Sequence, residues 1–190
     1  MDTWSLSGAR IKLTLLALAS GIGGYLLEMP RGVDPELPSG RVRDGSELVM
    51  AVILSSTCSG THAPGLMEAI RGARSALREE AHRREMSFQS IGISVDRRVQ
   101  DGLKLLEIFG PFDEVLVGGG QLGTGALKYV WQDLPGPGAF PQMLVLERTV
   151  SPAPVHGVFD ESVRVRKTGA LPIIAWARYL LDPLSPPLAE

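Results

Sequence analysis

Residues 55–64, SSTCSGTHAP, contain the only cysteine of this 190-residue chain. A thiol becomes a strong nucleophile when it loses its proton, and the start of a helix favours the thiolate because unpaired N–H groups face it. His62 lies four residues after Cys58, and its cation would add to that effect. Cys58 is therefore the candidate nucleophile for attack on a disulfide or a peroxide.

A lone thiol raises the question of how a mixed disulfide would be released. In C-x-x-C chemistry the second thiol resolves it, and here that position holds Thr61, which cannot do so. A monothiol cycle needs an external thiol such as glutathione. Ser55 stands where peroxide-reducing enzymes carry a hydroxyl, but the rest of their pattern is missing. The alternative is that Cys58 is a small, half-buried residue without a chemical role.

A metal site is a further hypothesis for the same segment. Cys58 and His62, with His156 as a third ligand, would supply sulfur and nitrogen donors suited to copper or zinc. One cysteine excludes a disulfide framework and any cysteine-rich zinc or iron–sulfur site within a single chain. We predict no metal and no cofactor, and keep this ligand set only as an alternative.

Residues 118–125, GGGQLGTG, contain a G-x-G-x-x-G pattern between a predicted strand and a predicted helix. That is the form of a dinucleotide-binding turn, with Glu147 as the acid that would bind the ribose. The pattern falls in the fourth or fifth element rather than the first, and the next strand opens with Pro141. We interpret the segment as a flexible loop and predict no nucleotide.

The elements that must position these residues alternate between strands and helices. A continuous apolar run predicts a buried strand at 48–54, and a helical pattern follows over 61–86. Asp96 is predicted to cap the helix that ends near Gly110. The remaining predicted elements are strands at 88–95, 114–117, 141–147 and 159–165 and helices at 122–131 and 168–181. This alternation predicts an α/β domain with helices on both faces of the sheet.

In this order, the segments resemble the thioredoxin-like superfamily over about residues 45–150, and in particular its membrane-anchored, periplasm-facing TlpA and cytochrome-maturation branch. Cys58 matches the first cysteine of the family's C-x-x-C. FQSIGISVD resembles its second strand, which often ends in an aspartate, and AFPQMLVLE resembles its cis-proline segment. The resemblance implies a thioredoxin-like fold, a central mixed sheet flanked by helices, with Pro141 beside Cys58.

The chain also departs from that family at the positions that carry dithiol chemistry. Thr61 replaces the second cysteine, which degrades C-x-x-C to C-S-G-T. Val52 stands where a buried acid commonly lies, Thr57 replaces the usual tryptophan, and Pro64 falls two residues early. The candidate site is therefore Cys58, Thr61 and Pro141, without the dithiol, its proton relay or its aromatic neighbour.

The N-terminal region is predicted to be a membrane anchor. Residues 11–27 are nearly all apolar, and a helix rising about 1.5 Å per residue would just cross a bilayer core over that length. A signal peptide with Ala17 and Ala19 at its cleavage site is one rival interpretation, and a buried helix is another. The predicted organisation is a tail and transmembrane anchor at 1–27, a Pro/Gly-rich linker at 28–45, a thioredoxin-like domain with a C-terminal extension at 46–181, and a disordered tail at 182–190.

The expected function follows from this organisation. A net charge of −2 without a basic stripe argues against nucleic-acid binding. We expect a membrane-anchored domain that has lost dithiol catalysis and serves as an accessory or stabilising subunit of a membrane protein complex, with Trp176, Tyr179 and Leu180 as candidate contacts or core residues. The resemblance implies the bacterial inner membrane, crossed once, with the domain in the periplasm. The alternative is a monothiol redox protein that acts through Cys58.

Overall fold

The computed structural model of the protein describes residues 45–151 and 157–181. The predicted anchor, most of the linker, the C-terminal tail and His156 lie outside those residues, so the expectations about them stay predictions. Within the described ranges, none of the helices combines the length and the apolar character that a bilayer crossing demands.

A five-stranded mixed sheet forms the centre of the domain. Its strands, in chain order, are β1 Gly45–Leu54, β2 Ser87–Ser94, β3 Glu114–Leu116, β4 Gln142–Ser151 and β5 Gly157–Thr168. They lie in the order β3-β2-β1-β4-β5. The first three strands are parallel, and β4 runs antiparallel to both β1 and β5. The carboxyl ends of three parallel strands therefore meet at one end of the sheet, and the predicted edge strand at 159–165 lies within β5.

Helices cover both faces of this sheet. They are α1 Leu66–Arg83, α2 Val99–Phe109, α3 Thr124–Ala126 with the π-helical turn Leu127–Trp131 that continues it, and α4 Ala170–Leu181. Residues of α1, α2 and α4 share one apolar cluster, whereas residues of α3 and its π-helical turn belong to the cluster on the opposite face. This mixed sheet with flanking helices agrees with the α/β class predicted from the sequence and with the thioredoxin-like fold that the resemblance implied.

The middle strand β1 explains why the sequence shows a continuous apolar run. Leu48 to Leu54 are all completely buried. Alternate residues point to opposite faces: Leu48 and Met50 contribute to the cluster with α1 and α4, and Val49 contributes to the other. A strand covered on both faces needs no polar positions, so its pattern does not alternate.

The long helix predicted over 61–86 is wrong at its start. Ser59–His62 form a separate 3-10 helix, and Ala63 is extended with ψ of 134°. The residue before a proline is disfavoured in the α conformation, so Pro64 ends the first turn. Gly65 then takes φ of 81°, and α1 begins at Leu66 and ends at Arg83. Cys58 consequently precedes one short 3-10 turn rather than the N-terminus of a long helix.

The predicted role of Asp96 as a helix cap is also wrong. Arg98 occupies the N-cap position of α2, and no side chain makes a capping hydrogen bond there. Asp96 lies two residues after the end of β2, and its carboxylate accepts hydrogen bonds from the loop after β1. This arrangement places an acid at the candidate site instead of at the helix.

Candidate functional site

Cys58 lies in the loop that leaves the carboxyl end of β1. Its N–H donates to the carbonyl of Ser55 at 3.2 Å, and its own carbonyl accepts from the N–H of Thr61 at 3.0 Å. The side chain is half-buried. Its Sγ donates to the carbonyl oxygen of Phe140 at 3.0 Å, across 82 residues of chain. The thiol is thus held at a fixed point while part of it stays accessible.

The structure brings Pro141 to this corner. The Phe140–Pro141 peptide bond is cis, and Pro141 is buried immediately before β4. Gly60 packs so closely that a Cβ atom there would lie 2.9 Å from Pro141 Cδ and 3.7 Å from Cys58 Sγ. Two of the three residues singled out by the sequence therefore lie together, and a glycine that was not singled out makes room for their approach.

Thr61, the third of those residues, faces inward. Only 1% of it is exposed. Its Oγ1 accepts a long hydrogen bond of 3.5 Å from the N–H of Ser55. The hydroxyl at the position of a resolving thiol thus supports the loop backbone.

His62 contacts the same loop from outside. Its Nε2 lies 2.8 Å from the carbonyl oxygen of Ser56, and the histidine is exposed. The imidazole thus contacts the main chain two residues before Cys58. The sequence had suggested a direct electrostatic effect of His62 on the thiol.

Asp96 is the functional candidate that sequence reasoning missed. It is 7% exposed, and it receives hydrogen bonds from Ser56 and Ser94. Ser56 donates its N–H at 3.0 Å and its Oγ at 2.8 Å, and Ser94 Oγ donates at 2.8 Å. The available signal was an acid directly after a buried strand, at the end of the sheet where the Cys58 loop also begins.

A cleft of about 690 Å³ opens beside Cys58. One side is the loop at 55–58 with Phe140, and the other includes Arg97, Arg98 and the glycine-rich loop. Arg98 Nε is 3.7 Å from the carboxylate of Asp101, and both side chains are largely exposed. The cleft is large enough for a small molecule and mixes polar with apolar walls.

The glycine-rich loop forms a compact turn. Gly118, Gly119 and Gly120 all have positive φ, and Leu122 donates its N–H to the carbonyl of Gly119 at 3.2 Å. Glu147, the acid of the dinucleotide interpretation, pairs with Leu48 near the start of β1, far along the sheet from the cleft. The structure therefore does not assemble the ribose-binding part of that motif.

Glu147 is part of an ion-pair network with two arginines. Its Oε1 lies 2.6 Å from Arg84 Nη1, and its Oε2 lies 2.7 Å from Arg164 Nη2. Burial alone would raise the pKa of Glu147, but the hydrogen bonds from Arg84 and Arg164 outweigh it and lower the pKa below its usual value. The network belongs to the opposite end of the sheet from Cys58.

The metal and partner hypotheses gain little from the geometry. In residues 45–151 and 157–181, no three histidine, cysteine or acidic side chains form a group able to hold a metal ion; His156 lies outside. Of the three candidate contacts on α4, Trp176 is buried in the core and Leu180 packs against it, while Tyr179 is 45% exposed.

Comparison with known proteins gives a similarity at the level of structure. No family model matches the chain, and no curated protein matches it. The solution structure of a thiol:disulfide interchange protein from Bacteroides sp. is similar at 15% sequence identity, with a TM-score of 0.38. The similarity covers 73% of this chain and 76% of that chain.

Proposed function

We propose that the domain is a single-cysteine thiol–disulfide exchange protein, in which Cys58 forms a mixed disulfide with its substrate. The observation that carries this proposal is the position of the thiol. Sγ is half-buried, lies 3.0 Å from the carbonyl oxygen of Phe140, and borders the 690 Å³ cleft. Such a position is accessible to a substrate and still fixes the direction of attack.

The exchange needs two steps and two external sulfur compounds. The Cys58 thiol loses its proton to solvent, and the thiolate attacks a disulfide R–S–S–R′. A bond forms between Cys58 and R–S, and R′–S⁻ leaves. Since Thr61 cannot resolve the mixed disulfide, the thiolate of an external thiol R″–SH attacks its R–S sulfur. This second step releases R–S–S–R″ and regenerates the Cys58 thiolate.

The carbonyl of Phe140 gives the substrate a place to bind. In the resting state this oxygen accepts from the thiol. A thiolate or a disulfide sulfur has no proton to donate, so reaction frees the oxygen. An extended substrate can then offer a backbone N–H to it, as segments that add to a strand do.

The test compares the native chain with the same chain unfolded in urea at one pH. We expect Cys58 in the native full-length protein to react faster with a small disulfide such as 5,5′-dithiobis(2-nitrobenzoate), because the cleft would bind the reagent beside Sγ, whereas the unfolded chain has no such site. Release of one thionitrobenzoate per chain and a matching mass increase would identify the adduct. A Cys58→Ser variant is the blank. A native rate below the unfolded rate would contradict the proposal.

The accessory-subunit role stays a second proposal, supported by the exposed side of α4. Leu171 is 78% exposed and Tyr179 is 45% exposed, so both side chains can contact a partner without any rearrangement of the core. In this proposal residues 11–27 anchor the chain in the bacterial inner membrane with the domain in the periplasm. In this second proposal, Cys58→Ser should leave a complex purified from membranes intact, whereas Tyr179→Ala should weaken it; a complex that survives Tyr179→Ala unchanged would contradict the accessory role.

A further inference from the structure

We propose that Asp96 is a positioning residue for Cys58: its carboxylate fixes the backbone of the loop at 55–58 in the conformation in which the thiol reacts. The inference rests on the proposed exchange activity of Cys58. It concerns the geometry of the loop and assigns Asp96 no contact with the substrate.

The carboxylate connects two strand ends through several donors. Its Oδ1 accepts from Ser56 N–H at 3.0 Å, from Ser56 Oγ at 2.8 Å and, at 3.5 Å, from Ser55 Oγ. Its Oδ2 accepts from Ser94 Oγ at 2.8 Å, and Ser94 Oγ also accepts from the N–H of Asp96 at 3.1 Å. Hydrogen bonds to an ionised acceptor are about twice as strong as neutral ones. Asp96 thus ties the end of β2 to the residues just before Cys58.

The other hydrogen bonds of the loop hold the residues around Ser56 and leave its N–H to Asp96. Cys58 N–H donates to the carbonyl of Ser55 at 3.2 Å, and Cys58 Sγ donates to the carbonyl of Phe140 at 3.0 Å. The bond from Ser55 N–H to Thr61 Oγ1 is long at 3.5 Å, and His62 approaches from the exposed side. Ser55 Oγ lies 3.0 Å from Thr57 Oγ1, so the hydroxyl contacts extend to the neighbour of Cys58. Without the carboxylate, the N–H of Ser56 would lose its acceptor, and the segment that aims Sγ at the cleft would relax.

Asp113 offers a control that distinguishes positioning of the thiol from a general effect on stability. Asp113 accepts from the N–H of Ser90 at 2.8 Å and from Ser90 Oγ at 2.6 Å, which repeats the bonding of Asp96 with Ser56. Ser90 pairs with Met50 in the middle of the sheet, whereas Ser94 pairs with Leu54 next to the Cys58 loop. Asp113 is therefore a control with the same hydrogen-bonding pattern at a distance from the thiol.

The experiment uses the full-length chain and its variants Asp96→Ala, Asp96→Asn and Asp113→Asn. The rate of disulfide exchange at Cys58 and the urea midpoint of unfolding are measured for each. We expect Asp96→Ala to slow exchange roughly ten- to hundredfold, the penalty typical of a misplaced reacting group. Asp96→Asn keeps one acceptor for Ser56 and should fall between Asp96→Ala and the parent. Asp113→Asn should lower the urea midpoint and leave the exchange rate unchanged.

The outcomes distinguish the two proposals. A parent chain whose Cys58 does not react faster than in the unfolded state removes the exchange function itself. A reactive parent whose Asp96 variants keep the parent's rate overturns the positioning role alone, and so does an equal slowing by Asp113→Asn. Should Asp96→Ala fail to fold, the comparison of Asp96→Asn with Asp113→Asn decides.

Discussion

Thr61 is the residue that separates this corner from a dithiol site. Its N–H donates to the carbonyl of Cys58 at 3.0 Å, so the two residues close a tight turn. The α-carbons of the ends of such a turn lie less than about 7 Å apart, which is within the range that a disulfide bridges. The position is therefore suitable for a second thiol, although threonine occupies it.

Replacing Thr61 by cysteine should restore internal resolution. We expect the oxidised variant to contain a disulfide between Cys58 and the introduced cysteine, and to release its substrate without an external thiol, since the new thiol can attack the mixed disulfide. The measurement is the dependence of turnover on added thiol, with mass spectrometry of the oxidised chain. Thr61→Ser is the control, because it keeps the hydroxyl and should still depend on external thiol. An unbridged oxidised variant would contradict the expectation.

At the residue scale, Cys58, Thr61 and Pro141 can be identified from the sequence, because their residue types and their order along the chain are enough to match them to the C-x-x-C and cis-proline positions. The role of Asp96 could not be read in the same way. Its partner Ser56 lies 40 residues away in the chain, and the hydrogen bond between them exists only because β1 and β2 are adjacent and parallel. An acid just before a helix normally suggests a cap, and that local rule competed with the tertiary contact.

At the scale of elements, the single 3-10 turn Ser59–His62 decides how Cys58 meets β4. Its Gly60 faces Pro141, where an added Cβ would lie 2.9 Å from Cδ and 3.4 Å from the carbonyl oxygen of Phe140. These neighbours are backbone and a ring, which cannot move aside as a flexible side chain can. The short element is therefore packed as tightly as a core contact.

Gly60→Ala should separate Cys58 from Phe140. We expect a loss of about 1–3 kcal/mol in the free energy of unfolding, as is typical of overpacking, together with slower exchange at Cys58. Ser59→Ala is the matched control, since it introduces the same residue one position earlier on an exposed site. Urea unfolding and thionitrobenzoate release measure the two effects. Equal unfolding free energies and equal exchange rates in the two variants would show that the close packing at Gly60 contributes neither to stability nor to the reactivity of Cys58.

Element boundaries were the less predictable part of the fold. The apolar stripe from Leu66 to Leu77 predicts the helix but does not fix where it begins; Ala63, before Pro64, is extended, and Gly65 has φ of 81°, so the helix cannot reach back to Thr61. Local conformation thus overrides periodicity at this point. The alternation of strands and helices, by contrast, could be predicted, because each buried strand requires a covering helix on its apolar face.

At the scale of the whole molecule, the described part of the sheet carries different chemistry at its two ends. The carboxyl ends of the parallel strands hold Cys58, Asp96 and the cleft. The opposite end holds ion pairs, in which Glu147 contacts Arg84 and Arg164, and Arg148 lies 2.6 Å from Glu47. Strand order explains the separation, since Glu147 pairs with Leu48 at the start of β1 and Gln142 pairs with Ile53 near its end.

This separation predicts that the ion pairs affect stability without affecting exchange. The arginines hold the pKa of Glu147 in the folded protein below its usual value. The Glu147 carboxylate therefore stabilises the fold fully at pH values above its pKa in the unfolded chain, and this stabilisation is lost as pH falls through its pKa in the folded protein. Glu147→Gln should therefore lower the free energy of unfolding by about 2 kcal/mol at neutral pH, the scale of a charged hydrogen bond. The difference from the parent should begin to shrink once pH falls below the ordinary glutamate pKa of about 4.3, and it should approach zero as pH falls through the lower pKa of the folded parent.

Urea unfolding of both chains over that pH range measures the difference, and exchange at Cys58 near neutral pH provides the control. We expect both chains to react at the same rate, because Glu147 pairs with Leu48 near the start of β1, whereas Cys58 follows the end of β1. A stability difference that persists in acid would mean that the carboxylate's charge does not carry the effect and that the introduced glutamine packs poorly instead. A slower exchange rate in the variant would mean that the two ends of the sheet are coupled through β1 and β4, which the separation of their contacts argues against.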